Sequence, residues 1–209
     1  MKTNSRLQWW SIRILVICVI VFLLQLIFGG ITRNFVLVSD TVWYRPWTLI
    51  THAFLHGSAT HLLYNMFALA LFGTILEKLI GSKRFLILYI SAGFASAFVS
   101  IPLYGAVLGA SGAIFGVMGM LAILRPKMIV WVFGFPMPMA LAAVFWAIGD
   151  FVGLFLPSGT ANAAHLAGLA VGLGFGFYFY KKMGEVKHKK KSDIKIDEDS
   201  FEDWEDRWM

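Results

Sequence analysis

The sequence predicts an all-α, polytopic membrane protein: a bundle of six transmembrane helices with both termini on the inner side. Three observations carry that prediction. The composition is 58% hydrophobic and only 14% charged over 209 residues, whereas a soluble domain is nearer half apolar and a quarter charged. Mean hydropathy is +0.72. Apolar runs long enough to cross about 30 Å of hydrocarbon recur along the chain, and basic residues alternate with them. In lipid every backbone N–H and C=O has to be satisfied within the segment, so the runs are read as helices rather than strands.

In chain order the runs cover 12–31, 60–80, 85–104, 107–124, 128–156 and 163–180. The first has no small-residue cleavage site after it and further runs follow, so it reads as a retained span rather than a signal peptide. A long connection over 32–59 holds Trp43, Tyr44 and Trp47, an aromatic content suited to the lipid interface. The third and fourth runs lie in a stretch, 85–124, without one charged residue. The fifth carries Pro136, Pro138 and Pro157, which predict a tilt or break near its start. The single cysteine, Cys18, lies in the first run, so an intramolecular disulfide and a cysteine zinc cluster are both excluded.

Orientation follows from Lys and Arg. Lys2, Arg6 and Arg13, then Lys78, Lys83 and Arg84, then Arg125 and Lys127, and finally eight in the tail fall on one side. Only Arg33 and Arg45 fall on the other, and the positive-inside rule gives N-in and C-in. The expected organisation is a cytoplasmic N-terminus (1–11), a membrane domain (12–180) and a cytoplasmic tail (181–209). In the tail KKMGEVKHKKK is followed by DEDSFEDWEDRW. Such a basic block before an acidic one reads as a disordered, solvated segment whose basic part lies against anionic headgroups. The net charge of +6 therefore indicates a bilayer partner rather than nucleic acid, since no folded basic face accompanies it.

Spans two, four and six all begin at the outer face. His61 and Asn65 fall in the first turns of span two, Ser111 in those of span four and His165 in those of span six. Helix parity alone puts these four polar residues in one leaflet at similar depth. Reversing the whole orientation would not separate them.

Ser111 sits in Gly109-Ala-Ser-Gly112-Ala-Ile-Phe115-Gly116. Taken alone it has a packing explanation: a membrane serine bonds back to a carbonyl one turn earlier, and Gly112 with Gly116 forms a small-xxx-small motif. A G-x-S-x-G elbow is nearly spelled, but Ala113 replaces the last glycine and no strand precedes it. His165 is the only histidine in the last four spans, and an intramembrane ionisable residue is a functional hypothesis by default. The alternative is interhelical hydrogen bonding. A neutral imidazole is the general base a serine nucleophile needs. Phe115, one turn after Ser111, is placed to pack on that ring, and Gly168, Gly172 and Gly176 smooth one face of span six for close approach. His61 and Asn65, with the free N–H groups at the start of span four, are candidate oxyanion donors; their alternative is again interhelical bonding.

Two other chemistries are set aside. His52, His56 and His61 resemble a metal cluster, yet no HExxH occurs and no carboxylate lies near in sequence. No metal and no cofactor are expected. An aspartyl site needs two carboxylates sharing a proton, and only Asp150 lies well inside a span. Asp150 is left with two readings, a third triad member or a structural hydrogen bond, of which the second is preferred.

With these residues in place, the chain resembles the rhomboid family of intramembrane serine proteases over most of 10–180. The resemblance rests on His61-Leu-Leu-Tyr-Asn65, Gly109-Ala-Ser111-Gly112 and Ala-His165-Leu-Ala-Gly-Leu-Ala-Val-Gly172, in family order, with Glu77 and Gly81 as the family's E-xxx-G. It implies a six-helix rhomboid-like bundle, with Ser111 as nucleophile and His165 as base in a dyad without an aspartate. His61, Asn65 and the Ser111 backbone would stabilise the oxyanion, with Gly109, Gly112 and Phe115 supporting the site. It also implies a first loop dipping into the membrane, span five as a gate and 156–162 as a cap over the site. The substrates would be single-span membrane proteins cut near the outer face, in the plasma membrane of a prokaryote. The family's Trp-Arg in the first loop reads Trp47-Thr48 here, with Arg45 displaced. The rival from another class is a catalytically inactive family member that binds transmembrane helices as an adaptor. A small-solute transporter is disfavoured, because paired intramembrane charges and an internal repeat are both missing.

Overall fold

In a computed structural model, which describes residues 7–132, 134–156 and 159–192, helices dominate. The chain runs α1 (Trp10–Ile27), α2 (Gly29–Phe35), β1 (Leu37–Val38), α3 (Thr48–Thr51), α4 (Ala59–Ala68), α5 (Thr74–Ile80), α6 (Ser82–Ser100), β2 (Ala106–Val107), α7 (Ser111–Leu124), β3 (Ile129–Val132), β4 (Phe135–Pro138), α8 (Met139–Gly153) and α9 (Asn162–Ser192). A π-helical turn, Leu69–Gly73, joins α4 to α5, so Ala59–Ile80 is one helical path. Four helical segments are long and apolar enough to cross a membrane: Trp10–Ile27, Ala59–Ile80, Ser82–Ser100 and Asn162–Lys182. Ser111–Leu124 and Met139–Gly153 are shorter apolar helices.

α1 shows how the chain is turned inside out relative to a soluble protein. Ser11, Ile14, Cys18 and Phe22 are buried at spacings of three and four, one helical face. Ile20, Leu23, Leu26 and Ile27 stand exposed on the remainder, a surface suited to hydrocarbon rather than water. The central element is α7, with Gly112 to Ala122 buried almost throughout. Its glycines let neighbours approach to backbone contact. A Cβ added at Gly168 would fall on the Gly112 carbonyl, and one at Gly172 on that of Gly116. α9 therefore lies directly against α7 along the stripe of small residues.

The sixth run, expected to end at 180 before a disordered tail, continues as α9 to Ser192, and three further details differ from the sequence expectations, each for a local reason. The first run stops at Ile27, where Phe28 is extended (φ −119°, ψ 96°), and α2 begins at the weak helix formers Gly29 and Gly30. The fourth helix begins at Ser111 rather than 107, because Ala106 and Val107 pair with Val38 and Leu37 and Gly109 takes φ +125°. The fifth run opens as an antiparallel hairpin, Ile129 opposite Pro138 and Val132 opposite Phe135. Pro136 and Pro138 lack the N–H a helix interior requires, so α8 starts only at Met139. Pro157, and the tail from 193 onward, lie outside the described residues.

The first loop is held to α6 and to α2. Leu37, Val42 and Ala97 form a buried cluster, with Leu49, Ile101 and Val107 packed against it. The Arg45 guanidinium donates to the Arg33 carbonyl (3.0 Å) and the Trp47 indole N–H to that of Asn34 (3.1 Å). Displaced as it is from the family position, Arg45 still ties the loop to α2.

Contacts divide the chain into Met1–Phe177 and a second unit from Tyr178 onward. In the second, the Tyr178 ring meets Phe179 edge-on and Lys182 Nζ lies 5.9 Å from the Tyr178 centroid.

Within Met1–Phe177, Glu77 is fully buried. Its carboxylate accepts from the Trp10 and Ser11 amides (both 2.9 Å), the Ser11 hydroxyl (2.8 Å) and the Ser82 hydroxyl (2.6 Å). An acid here satisfies the free N–H groups of the first turn of α1 and meets the positive end of its dipole. Replacing Glu77 by alanine strands those buried donors. The expected loss is about 1–3 kcal/mol, read as a lower midpoint of thermal unfolding in detergent; an unchanged midpoint would contradict this role.

Candidate active site

Ser111 is the first residue of α7, and no side chain caps that helix. The N–H groups of its first turn thus remain available to an acceptor. Ser111 Oγ lies 2.8 Å from His165 Nε2, a hydrogen bond between side chains 54 residues apart. The imidazole is stacked on the Phe115 ring, with centroids 4.3 Å apart and planes 10° from parallel. On its far side, His165 Nδ1 lies 3.0 Å from Asp150 Oδ1. Ser111, His165 and Phe115 are brought together as their helical positions predict. The contact with Asp150 is an addition to the expected pair.

His61 and Asn65 stand one turn apart on α4. Both line the cavity that Ser111 and His165 also line, about 1110 Å³ in volume. Ser58 caps α4 by accepting from the His61 amide (3.1 Å), and the Asn65 amide group donates to the His61 carbonyl (2.9 Å). That bond uses one of the two Asn65 amide hydrogens. Gly109 explains itself here: a Cβ on it would lie 2.7 Å from His61 Cε1, at a φ of +125° that side chains rarely adopt. Its amide donates to the His52 carbonyl (2.9 Å), tying the turn before Ser111 to the first loop. Gly112 faces Ser96 and the Ala164 carbonyl, again without space for a Cβ.

Residues 44–182 match the family of the rhomboid domain. The chain belongs to the rhomboid family. It is 34% identical over 157 residues to a protein of Saccharomyces cerevisiae named rhomboid protein 1, mitochondrial, covering 68% of this chain and 44% of the relative. It is 30% identical over 193 residues to a rhomboid protease GlpG of Klebsiella pneumoniae, covering 85% of this chain and 64% of that one. A rhomboid protease GlpG of Serratia proteamaculans is 27% identical over 172 residues, 80% of this chain and 62% of the relative. The chain thus spans 44% to 64% of the length of these relatives. Family and apolar helices together make it a multi-pass membrane protein.

This rhomboid chain has supports for His165 that its sequence does not advertise. The Ser96 hydroxyl on α6 lies 2.7 Å from the Ala164 carbonyl and 2.8 Å from that of Ala92, a shared donor. The Tyr104 hydroxyl accepts from the Ala163 amide (3.0 Å), and the Asn162 side chain donates to the Gly153 carbonyl (2.8 Å). The first turn of α9 is therefore held from α6, from the segment after it and from α8. Ser96 lies in a small-residue stretch, SAGFASA, where serine at helical spacing reads only as packing.

His52 and His56 do not gather with His61 into a metal site; among the described residues no cluster of three or more His, Cys, Asp or Glu is placed to hold an ion. His52 Nδ1 donates to the Thr48 carbonyl (2.9 Å), and the His56 ring meets His61 edge-on at 5.2 Å. Burial pushes both His52 and His56 down to about 4, and the neighbouring His61 adds to the effect on His56. In the unfolded chain both return to about 6.5, so between these values the unfolded state binds more protons. Stability is then whole above about pH 6.5 and is lost as pH falls towards about 4. A His52→Gln, His56→Gln double variant should show a flatter fall of the thermal midpoint between pH 7 and pH 4 than wild type. An identical slope would contradict the assignment.

Proposed function

We propose that this chain is an intramembrane serine endopeptidase, with Ser111 as nucleophile and His165 as general base. The observation that carries this reading is the 2.8 Å contact between Ser111 Oγ and His165 Nε2, made inside a cavity large enough to admit an unwound peptide. The names of the GlpG relatives support the same activity class.

The chemistry follows from the atoms present. Ser111 Oγ attacks the scissile carbonyl carbon while its proton passes to His165 Nε2. The negative oxygen of the tetrahedral intermediate is met by the free N–H groups at the start of α7, helped by the helix dipole, and by the His61 and Asn65 side chains. Collapse breaks the C–N bond, the leaving amine takes the proton from Nε2, and an ester to Ser111 remains. Water, deprotonated by the same nitrogen, then cleaves that ester and restores the hydroxyl. Stacking on Phe115 holds the imidazole plane so that Nε2 stays aimed at Oγ.

The substrates in this reading are single-span membrane proteins, cut near the outer face. A substrate helix would unwind between the Ala59–Ile80 path and α8, where Phe72 of the π-helical turn and Trp146 of α8 now meet edge-on at 6.3 Å. The topology is six crossings with both termini inside, α7 and α8 completing the set, in a prokaryotic plasma membrane. The organisation is a membrane domain over 12–180 between a cytoplasmic N-terminus (1–11) and a cytoplasmic tail (181–209).

Reconstituted wild type should cleave a tagged single-span substrate. Ser111→Ala and His165→Ala should each reduce the rate by at least about 10³-fold; equal cleavage by all three would sink the proposal. Removing one oxyanion donor, by His61→Ala or Asn65→Ala, should lower kcat by about 10²–10³. An unchanged kcat in both would remove them from the oxyanion site.

A further inference from the structure

Asp150 occupies an odd place for a purely structural residue. It lies in the last turn of α8, where the helix dipole disfavours negative charge. Its side chain is only 10% exposed, and burying a carboxylate is unfavourable unless it is paired. Its Oδ2 is buried and makes no hydrogen bond to a described residue. Its Oδ1 meets His165 Nδ1 at 3.0 Å, an ion pair whenever the imidazole is charged. A neutral asparagine or serine would bridge α8 to α9 without these penalties, as Asn162 does through the Gly153 carbonyl.

We propose that Asp150 is a positioning residue for His165, so that this chain works with a Ser–His–Asp triad rather than a pair. The inference rests on the serine-peptidase reading above. An ionised carboxylate only accepts hydrogen bonds, so Asp150 requires the proton of the neutral imidazole to sit on Nδ1. Nε2 is then the lone-pair nitrogen, the one that faces Ser111 Oγ at 2.8 Å. With the opposite tautomer Nε2 would carry a hydrogen and could not take the serine proton. When that proton arrives on Nε2, the imidazolium is flanked by the Asp150 carboxylate, which stays ionised and receives no proton itself. Around the rest of the ring stand Phe115, which covers one face, the neutral Ser111 and, near enough to interact electrostatically, His61, none of which is a carboxylate.

The test compares kcat and KM on one single-span substrate in vesicles for wild type, Asp150→Asn, Asp150→Leu and Ser111→Ala. Both Asp150 variants should lose at least about tenfold in kcat with KM little changed. Leucine leaves the buried His165 Nδ1–H without an acceptor and should lower the thermal midpoint, whereas asparagine, whose amide oxygen can still accept that bond, should leave it near the wild-type value. If Ser111→Ala is inactive while both Asp150 variants keep the wild-type kcat, the positioning role is overturned and the peptidase reading stands. If wild type and Ser111→Ala cleave alike, the peptidase reading fails and takes the positioning role with it. The tautomer is read on wild type itself, independently of how the variants fold. Nitrogen-15 NMR of labelled His165 should find the proton on Nδ1, and a proton on Nε2 would overturn the proposal.

Discussion

The geometry of the site depends on one constraint, the backbone-to-backbone contact between α7 and α9. Gly112 against Gly168 and Gly116 against Gly172 leave no space for a Cβ. Helix axes separated by ordinary side chains stand 8–10 Å apart; glycine pairs remove that spacer. Only then can a serine at the first residue of one helix reach a histidine in the first turn of the other. The hydrogen bond and the Phe115 stack follow from the same approach, because Phe115 lies one turn along from Ser111 on the face that meets α9.

The surroundings make that contact a fixed one. In hydrocarbon an unsatisfied polar group is expensive, and several polar side chains inside this bundle are committed to particular partners, though Asp150 Oδ2 and the Tyr89 hydroxyl have none among the described residues. Glu77 gathers the start of α1, Ser96 the carbonyl before His165, and Tyr104 an amide of the first turn of α9. These bonds hold Ser111 and His165 in place, which in the proposed mechanism is the preorganisation on which electrostatic catalysis relies. The Ala59–Ile80 helical path is interrupted by a π-helical turn, Leu69–Gly73, one turn after Asn65, a feature frequent at functional sites.

Much of this was legible in the sequence, and the reason is membrane geometry. Alternating spans share direction, so the positions of His61, Asn65, Ser111 and His165 within their runs give a common depth without a structure. The spacing of Phe115 from Ser111, and of Gly168 and Gly172 from His165, adds the helix faces. Depth and face are where such reasoning stops. Asp150 illustrates the limit: which way it points depends on where α8 begins, and a hairpin rather than a helix occupies the first part of that run. Gly109 could be seen beside Ser111, but not its positive φ or its closeness to His61. The two small ladders escape a rule that assigns apolar runs to helices, since each is short and paired within the protein.

The most direct test of the account is to map where a fluorophosphonate attaches to the wild-type protein in a bilayer. Phosphonylation needs a hydroxyl whose proton is accepted by a neighbouring base, so the account expects one adduct, on the peptide containing Ser111, and none when His165 is replaced by alanine. An adduct on another residue, or labelling of Ser111 at the wild-type rate without His165, would contradict it.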